Sequence, residues 1–319
     1  MRGLGESSPP APAHPTFANP AYLPERIAQA AFTEREPMPD ATTVTVAEAP
    51  PIPAGAPECG ALGRMGALVA RLARSNAEIE AAQRLRHAVF VGECGASPEG
   101  RGNGREADAL DAACDHLLVL DTELDGGGCG RVVGTYRLLR GEVAARIGGH
   151  YSDGEFDVAA LLRRHPGRRF LELGRSCTLS THRDRRTIEL LWHGVWAYAL
   201  RHRCDVMFGC ASFGGLDPDR HAGALGFLAR HALAEPPWAV PARAGVPLGR
   251  FAGRALAPRA ALAALPPLLK GYLRLGGRVG PDLAPDPDFR CLDTLVVLPR
   301  EAISPRYRRH YGEGAERFR

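Results

Sequence analysis

Lysine is all but missing from this chain: of 40 Lys and Arg residues, only Lys270 is a lysine. Its scarcity reads first as compositional bias. It also leaves guanidinium as the working cation, and a guanidinium fork suits carboxylate and phosphate partners better than an ammonium does. Paired cysteines are missing too. None of the 8 cysteines forms a CxxC, which excludes a zinc site of the usual spacing, and no metal ligand is assigned. The start, MRGLGESSPPAPAHP, has no apolar leader, and the apolar run Ala260–Leu269 is broken by Pro266 and Pro267. Neither a signal peptide nor a transmembrane helix is expected, and free thiols suit a reducing cytoplasm. The net charge of +4 comes without a basic block, which argues against nucleic acid as a partner.

What is present suffices for one sizeable core: 319 residues, 45% of them hydrophobic. Residues 1–60 are rich in Pro, Ala and Thr. Such a segment buries too little surface to offset its ordering entropy and reads as a disordered tail. Residues 61–319 read as a single domain, with a Pro- and Gly-rich C-terminal extension from about 236. Within it, alternation predicts strands at Leu68–Leu72, His116–Asp121, Arg131–Leu139, Arg169–Leu179, Asp205–Ala211 and Cys291–Leu298. Helical spacing predicts helices from the Ser75 or Asn76 cap to Phe90, at Val158–Arg164, at Thr187–His202 and at Leu268–Leu275. A turn is expected at Gly126–Gly128. The order of elements predicts an α/β fold, a mixed sheet flanked by helices on both faces.

Four polar clusters interrupt apolar elements. They are Arg86 with Phe90 and Glu93 in LRHAVFVGE, the acids of EADALDAACD (Glu106, Asp108, Asp111, Asp115), Arg137 in GTYRLL, and Glu172 with Arg175 in LELGRSC. A charge on a sheet strand is costly unless paired. Arg137, Glu172 and Arg175 are therefore expected to find one another or the acidic loop. A structural salt-bridge network is the alternative reading of the same residues.

The motifs LRxxVF, ExDxxD, the RLL strand and ELGRS resemble the pattern of the acyl-homoserine-lactone autoinducer synthases. The resemblance to the ornithine N-acyltransferases of ornithine-lipid synthesis is closer. It runs from about Arg71 to Leu298 and includes CDHLLVLD, GGHYSDGEFD, LLWHGVWAY, MFGCASFGG and LDTLVVLP. The resemblance implies the GCN5-related N-acetyltransferase fold and a 3-hydroxyacyl thioester on acyl carrier protein as donor substrate, with no cofactor. It further implies ornithine as acceptor and a lyso-ornithine lipid as product. In that frame Glu172 is the candidate base, directly or through water. Asp108 and Asp111 are candidates to bind the two ammonium groups of ornithine. Arg137 or Arg175 would hold the carboxylate as a bidentate pair. Arg86 and Phe90 would shape the acidic loop or the acyl channel.

Two departures stand out. Where acetyltransferases carry a Gly-rich turn for the CoA pyrophosphate, this chain reads STHRDRRTIELL. Arg183, Arg185 and Arg186 there suit the acidic surface of a carrier protein better, although a solvated Arg-rich loop explains them as well. The loop after LRxxVF also lacks the tryptophan of the autoinducer synthases. An HxxxxD pair, His116 and Asp121, has the spacing of glycerolipid acyltransferases. On a strand, however, residues five apart point to opposite faces. Cys177 reads as a buried structural thiol, and Trp192, Trp196 and Tyr198 as helix core. Two alternatives remain, an N-acyltransferase for another amine and a non-catalytic membrane-surface protein of the same fold. An amphiphilic product allows peripheral contact with the inner membrane. There Arg306, Arg308 and Arg309 could touch anionic lipid, although a solvated tail is the plainer account of them.

Overall fold

Leu117, Leu118, Val119 and Leu120 run consecutively, and each is at most 1% exposed. An unbroken apolar run of this kind belongs to a strand covered on both faces. A computed structural model of the chain describes residues 60–97, 103–124, 130–311 and 318. The expected N-terminal tail up to residue 59 and the whole Gly126–Gly128 turn lie outside the described residues.

Among the described residues, nine strands form one sheet. They are β1 (Ala61–Met65), β2 (Leu68–Leu72), β3 (Asp115–Asp121), β4 (Arg131–Arg140), β5 (Phe170–Thr178), β6 (Val206–Gly214), β7 (Val246–Pro247), β8 (Arg278–Asp286) and β9 (Cys291–Pro299). The helices used below are α1 (Asn76–Arg86), α2 (Gly141–Ile147), α3 (Val158–Arg164), α4 (Arg185–Arg201) and α5 (Ala222–His231). The sheet order is β1-β2-β3-β4-β5-β6-β9-β8-β7. Each neighbouring pair is antiparallel except β5–β6, which is parallel. The mixed sheet flanked by helices is the architecture expected from the sequence.

Several expected elements return almost unchanged, α3 and α4 among them. Ser75 caps α1, its side chain accepting from the Glu78 N–H. The expected helix to Phe90 is not regular throughout. It ends at Arg86 and continues as a π-helical stretch, His87–Glu93. Elements without an expectation include α2, α5 and β8. Pro281 and Pro285 hide β8 from a pattern search, since proline is a poor strand residue away from an edge or bulge.

Strand register sorts the side chains by face. Arg137 pairs with Gly174, and Leu139 with Glu172. Glu172 in turn pairs with Phe208, and Cys210 with Leu295. These residues share one face of the sheet with α3 and the cluster of Phe156, Phe170 and Phe208. Tyr136 points the other way, onto Trp192 of α4, with ring centroids 6.3 Å apart. There Trp192, Trp196 and Tyr198 are buried in the main core, as expected.

Beta-5 and β6 pair at only three positions, Phe170–Val206, Leu171–Met207 and Glu172–Phe208. Beyond them the strands part, while β6 stays paired with β9 along its whole length. Gly209 sits at the point of parting. A Cβ there would lie 2.1 Å from the Leu173 carbonyl oxygen.

Candidate active site

Three arginines and three carboxylates close over the site face of the sheet. Arg86, at the end of α1, donates from Nη1 and Nη2 to Oδ1 and Oδ2 of Asp111 at 3.0 and 2.6 Å. Its Nε lies 2.6 Å from Glu106 Oε2. Arg137 Nη1 donates to Asp108 Oδ1 at 2.6 Å and to Asp111 Oδ1 at 3.0 Å. Arg175 reaches Glu106 Oε1 through Nε at 2.9 Å and Asp108 Oδ2 through Nη2 at 3.3 Å. Gln83 adds a donor to Asp111 Oδ2 at 2.9 Å. Burial alone would raise both aspartates. Arg137 and Arg175 outweigh it at Asp108, and Arg86 and Arg137 do so at Asp111, so both carboxyls titrate below the ordinary range.

Arg175 joins this face by a backbone device. The β4–β5 register shifts between Thr135 and Arg137, so β5 carries an extra residue there. Within that bulge Arg175 adopts φ +51°. A bulge re-aims a side chain, and a left-handed non-glycine costs roughly 1–3 kcal/mol that its surroundings must offset. The guanidinium is sandwiched accordingly, with Cζ 4.2 Å from the centre of the Tyr151 ring and 4.5 Å from that of Phe289. Phe90 meets the far side of this stack, edge-on to Phe289 at 5.7 Å.

Glu172 departs from expectation. It joins neither arginine. Its Oε2 accepts from the Tyr151 N–H at 2.9 Å, and its Oε1 accepts from the Ser152 N–H at 2.8 Å and the Ser152 hydroxyl at 2.6 Å. A carboxylate with three such donors is a clamp on the 151–152 turn. Asp108 and Asp111 depart as well: their oxygens are engaged by guanidinium groups, so the pair does not stand open to two ammonium groups. Arg86 holds the acidic loop as anticipated.

The Arg-rich stretch before α4 is exposed and loosely engaged. Arg183 pairs with Glu93, Arg185 with Glu189 one helical turn on, and Arg186 with the Met65 carbonyl. The α4 N-terminus is capped by Asp184, which accepts from the Thr187 N–H at 2.8 Å. His116 and Asp121 do not meet. His116 Nε2 bonds the Asp111 carbonyl, and Asp121 pairs with His182. Burial pushes the Cys177 thiol well up, as befits a structural cysteine.

A second acidic group lies past the parting of β5 and β6, and no role was read for it from the sequence. Glu155, Cys210 and Asp293 place their side-chain donor atoms within 4.8 Å of one another, as do Asp286, Cys291 and Asp293. Burial drives both thiols strongly upward, so they stay protonated. A thiol-carboxyl set of that kind is not the thiolate cage that zinc selects. Glu155 and Asp293 shift the same way. Burial, then Asp293 and Asp286, raise Glu155 to about 8, and burial raises Asp293. One signal could have found this group. Asp293 is a charge inside the apolar strand CLDTLVVLP, the same criterion that flagged Glu172.

Comparison with known proteins finds relatives along most of the chain. An acetyltransferase (GNAT) domain model matches residues 85–193. The L-ornithine N(alpha)-acyltransferase of Rhizobium meliloti (strain 1021) is 52% identical over 267 residues, covering 82% of this chain and 90% of its own. The protein of the same name from Agrobacterium fabrum (strain C58) is 50% identical over 263 residues, covering 81% and 90%. Among solved structures, FeeM, an N-acyl amino acid synthase from uncultured soil microbes, aligns with 74% of this chain and 92% of its own. That alignment has a TM-score of 0.42 and 12% identity.

Proposed function

The chain belongs to the L-ornithine N(alpha)-acyltransferase family, and on that premise we propose that it acylates the α-amine of ornithine with a 3-hydroxyacyl chain from acyl carrier protein, giving lyso-ornithine lipid. The observation that carries this reading is identity above half across four-fifths of the chain to a relative of that name. An acyltransferase needs a slot for an extended thioester beside an amine site. The parting of β5 from β6 offers the slot, and the Arg137–Tyr151–Glu155 neighbourhood lies on the face beside it.

The carrier protein is favoured as donor by local chemistry. Asp184 takes an amide at the α4 N-terminus and puts a carboxylate where a pyrophosphate would sit. Three exposed arginines beside it suit an acidic protein surface. Arg306, Arg308 and Arg309 are exposed on the short helix Pro305–Tyr311. We extend the reading to peripheral contact of that helix with anionic lipid where the amphiphilic product leaves. No helix among the described residues is long and apolar enough to cross a membrane.

The test is transfer by the purified chain, read by mass spectrometry, from 3-hydroxyacyl carrier protein to ornithine, lysine and other amino acids in parallel. N-acyl ornithine as the dominant product supports the reading. Absence of any amide product, or a stronger product from another amine, overturns it.

A further inference from the structure

Among the described residues, buried side-chain atoms near the site face that lack a hydrogen-bond partner include His150 Nε2 and one atom on each of two ionic groups. One is Arg137 Nη2, on a side chain only 3% exposed and with no hydrogen-bond partner. The other is Glu155 Oε2, a buried atom equally without a partner. Tyr151 neighbours both. Its ring centre is 5.5 Å from Arg137 Cζ, and its hydroxyl is engaged by Arg175 and sits in the field of Asp286 and Glu155. An unmet buried donor and an unmet buried acceptor both call for partners. A carboxylate and an ammonium on one small molecule supply the pair.

Resting on the reading that an amino acid is the acceptor, we propose that Glu155 is the general base of the transfer, taking the proton of the acceptor's reacting ammonium, while Arg137 Nη2 takes the acceptor's carboxylate. The other carboxylates are committed. Glu106, Asp108 and Asp111 are ion-paired, Glu172 clamps the 151–152 turn, and Asp286 accepts the Phe289 N–H. Asp293 lies deeper, with the Cys291 thiol donating to it at 3.2 Å.

Glu155 faces Asp293 from β9, Asp286 from β8, Arg175 from β5 and the Cys210 thiol from β6. Burial and the two aspartates hold its carboxyl at about 8, with Arg175 opposing. An ordinary Glu near 4.3 would be a far weaker base toward an ammonium.

The Glu155 carboxylate removes one proton from the acceptor ammonium. The freed nitrogen lone pair forms the C–N bond to the thioester carbonyl carbon, and the C–S bond breaks. The remaining excess proton on nitrogen passes to the departing thiolate. Glu155 then releases its proton to water, so one proton leaves per amide formed.

Full-length chain with hydroxyacyl carrier protein and ornithine gives the test, as kcat and KM from pH 6 to 10. Glu155→Gln should lower kcat by about 100-fold or more with little change in the KM for ornithine, and the rise of kcat through about pH 8 should vanish. An unchanged kcat, or an unchanged pH profile, overturns the assignment. Loss of wild-type activity on chelation with recovery on adding a divalent cation also overturns it. If Glu155→Gln fails to fold, Asp293→Asn decides. Removing that charge should move the rising limb of kcat to lower pH, and a limb that stays in place counts against Glu155. Failure of the ornithine reading looks different, because the wild-type chain would then make no N-acyl ornithine at all.

Discussion

Arg175 reaches the Glu106 carboxylate at 2.9 Å from a left-handed backbone, φ +51°, inside a bulge of β5. Gly174 pairs with Arg137 of the site face, so in regular strand geometry the side chain of the next residue, Arg175, would point to the opposite face, toward α4. Backbone strain is exchanged for a third cation opposite three acids, of which Glu106 and Asp111 are buried. Arg175→Ala leaves Glu106 and Asp108 short of charge, and removal of one partner from a buried pair costs about 3–5 kcal/mol. Urea titration of the purified variant should show a loss of that order. Arg175→Lys should recover less than half, because an ammonium cannot fork between two carboxylates or stack between Tyr151 and Phe289. Full recovery by lysine would mean that only net charge matters at this position.

The same network sets an acid limit. Asp108 and Asp111 titrate below their unfolded value near 3.9. A depressed carboxyl contributes stability that is complete above the unfolded value and is lost as pH falls through the folded one. Glu155 works in the opposite sense. Its folded value, about 8, lies above the unfolded one, so its contribution is complete at acid pH and is lost as pH rises toward 8. Melting temperature should therefore fall steeply below about pH 4 and drift down from pH 5 to about 8. The drift, but not the acid collapse, should disappear in Glu155→Gln. A collapse that begins near neutrality would contradict the ion-pair arrangement.

Glu172→Gln separates clamp from catalyst. The wild-type carboxylate receives three donors from Tyr151 and Ser152. An amide offers one acceptor oxygen and turns an NH₂ toward the remaining donor. The 151–152 turn should loosen, with a stability loss of about 1–3 kcal/mol, and Tyr151 should lose its place over Arg175. A clamp predicts a weaker KM for the acceptor together with an unshifted pH dependence of kcat. A base predicts loss of the rising limb itself, which would return Glu172 to the role its strand position first suggested.

The fold was legible because its strongest periodicities are local. The runs at 115–121, 131–140 and 291–299 and the helix at 185–201 announce themselves by spacing alone. The site was half legible. Arg86, Arg137 and Arg175 stood out as charges in apolar elements, and the acidic loop as their partner. How Glu172 would be used was not legible, since its donors come from a turn 20 and 21 residues earlier. Nor was Glu155, whose environment is made by Asp286 and Asp293 on strands more than a hundred residues downstream. Pairwise charge cost can be read from one sequence; which distant strand supplies the neighbour is a matter of topology.

Arg183, Arg185 and Arg186 give the donor its own test. All three sit at the surface, where Arg183 pairs with Glu93, Arg185 with Glu189, and Arg186 donates to the Met65 carbonyl. Exposed pairs of this kind contribute about 0–1 kcal/mol to stability, so replacing all three with Ala should barely change the melting temperature. The long-range field is another matter. Surface charge that meets an acidic partner acts on encounter and is screened over roughly 8–10 Å at physiological salt. The triple variant should raise the KM for hydroxyacyl carrier protein by about tenfold at low salt, with kcat at saturation unchanged, and the gap to wild type should close as salt rises. A small thioester without the carrier protein should be used equally by both proteins. Equal salt dependence of the two toward the carrier protein would remove these arginines from the docking face and leave them a solvated loop.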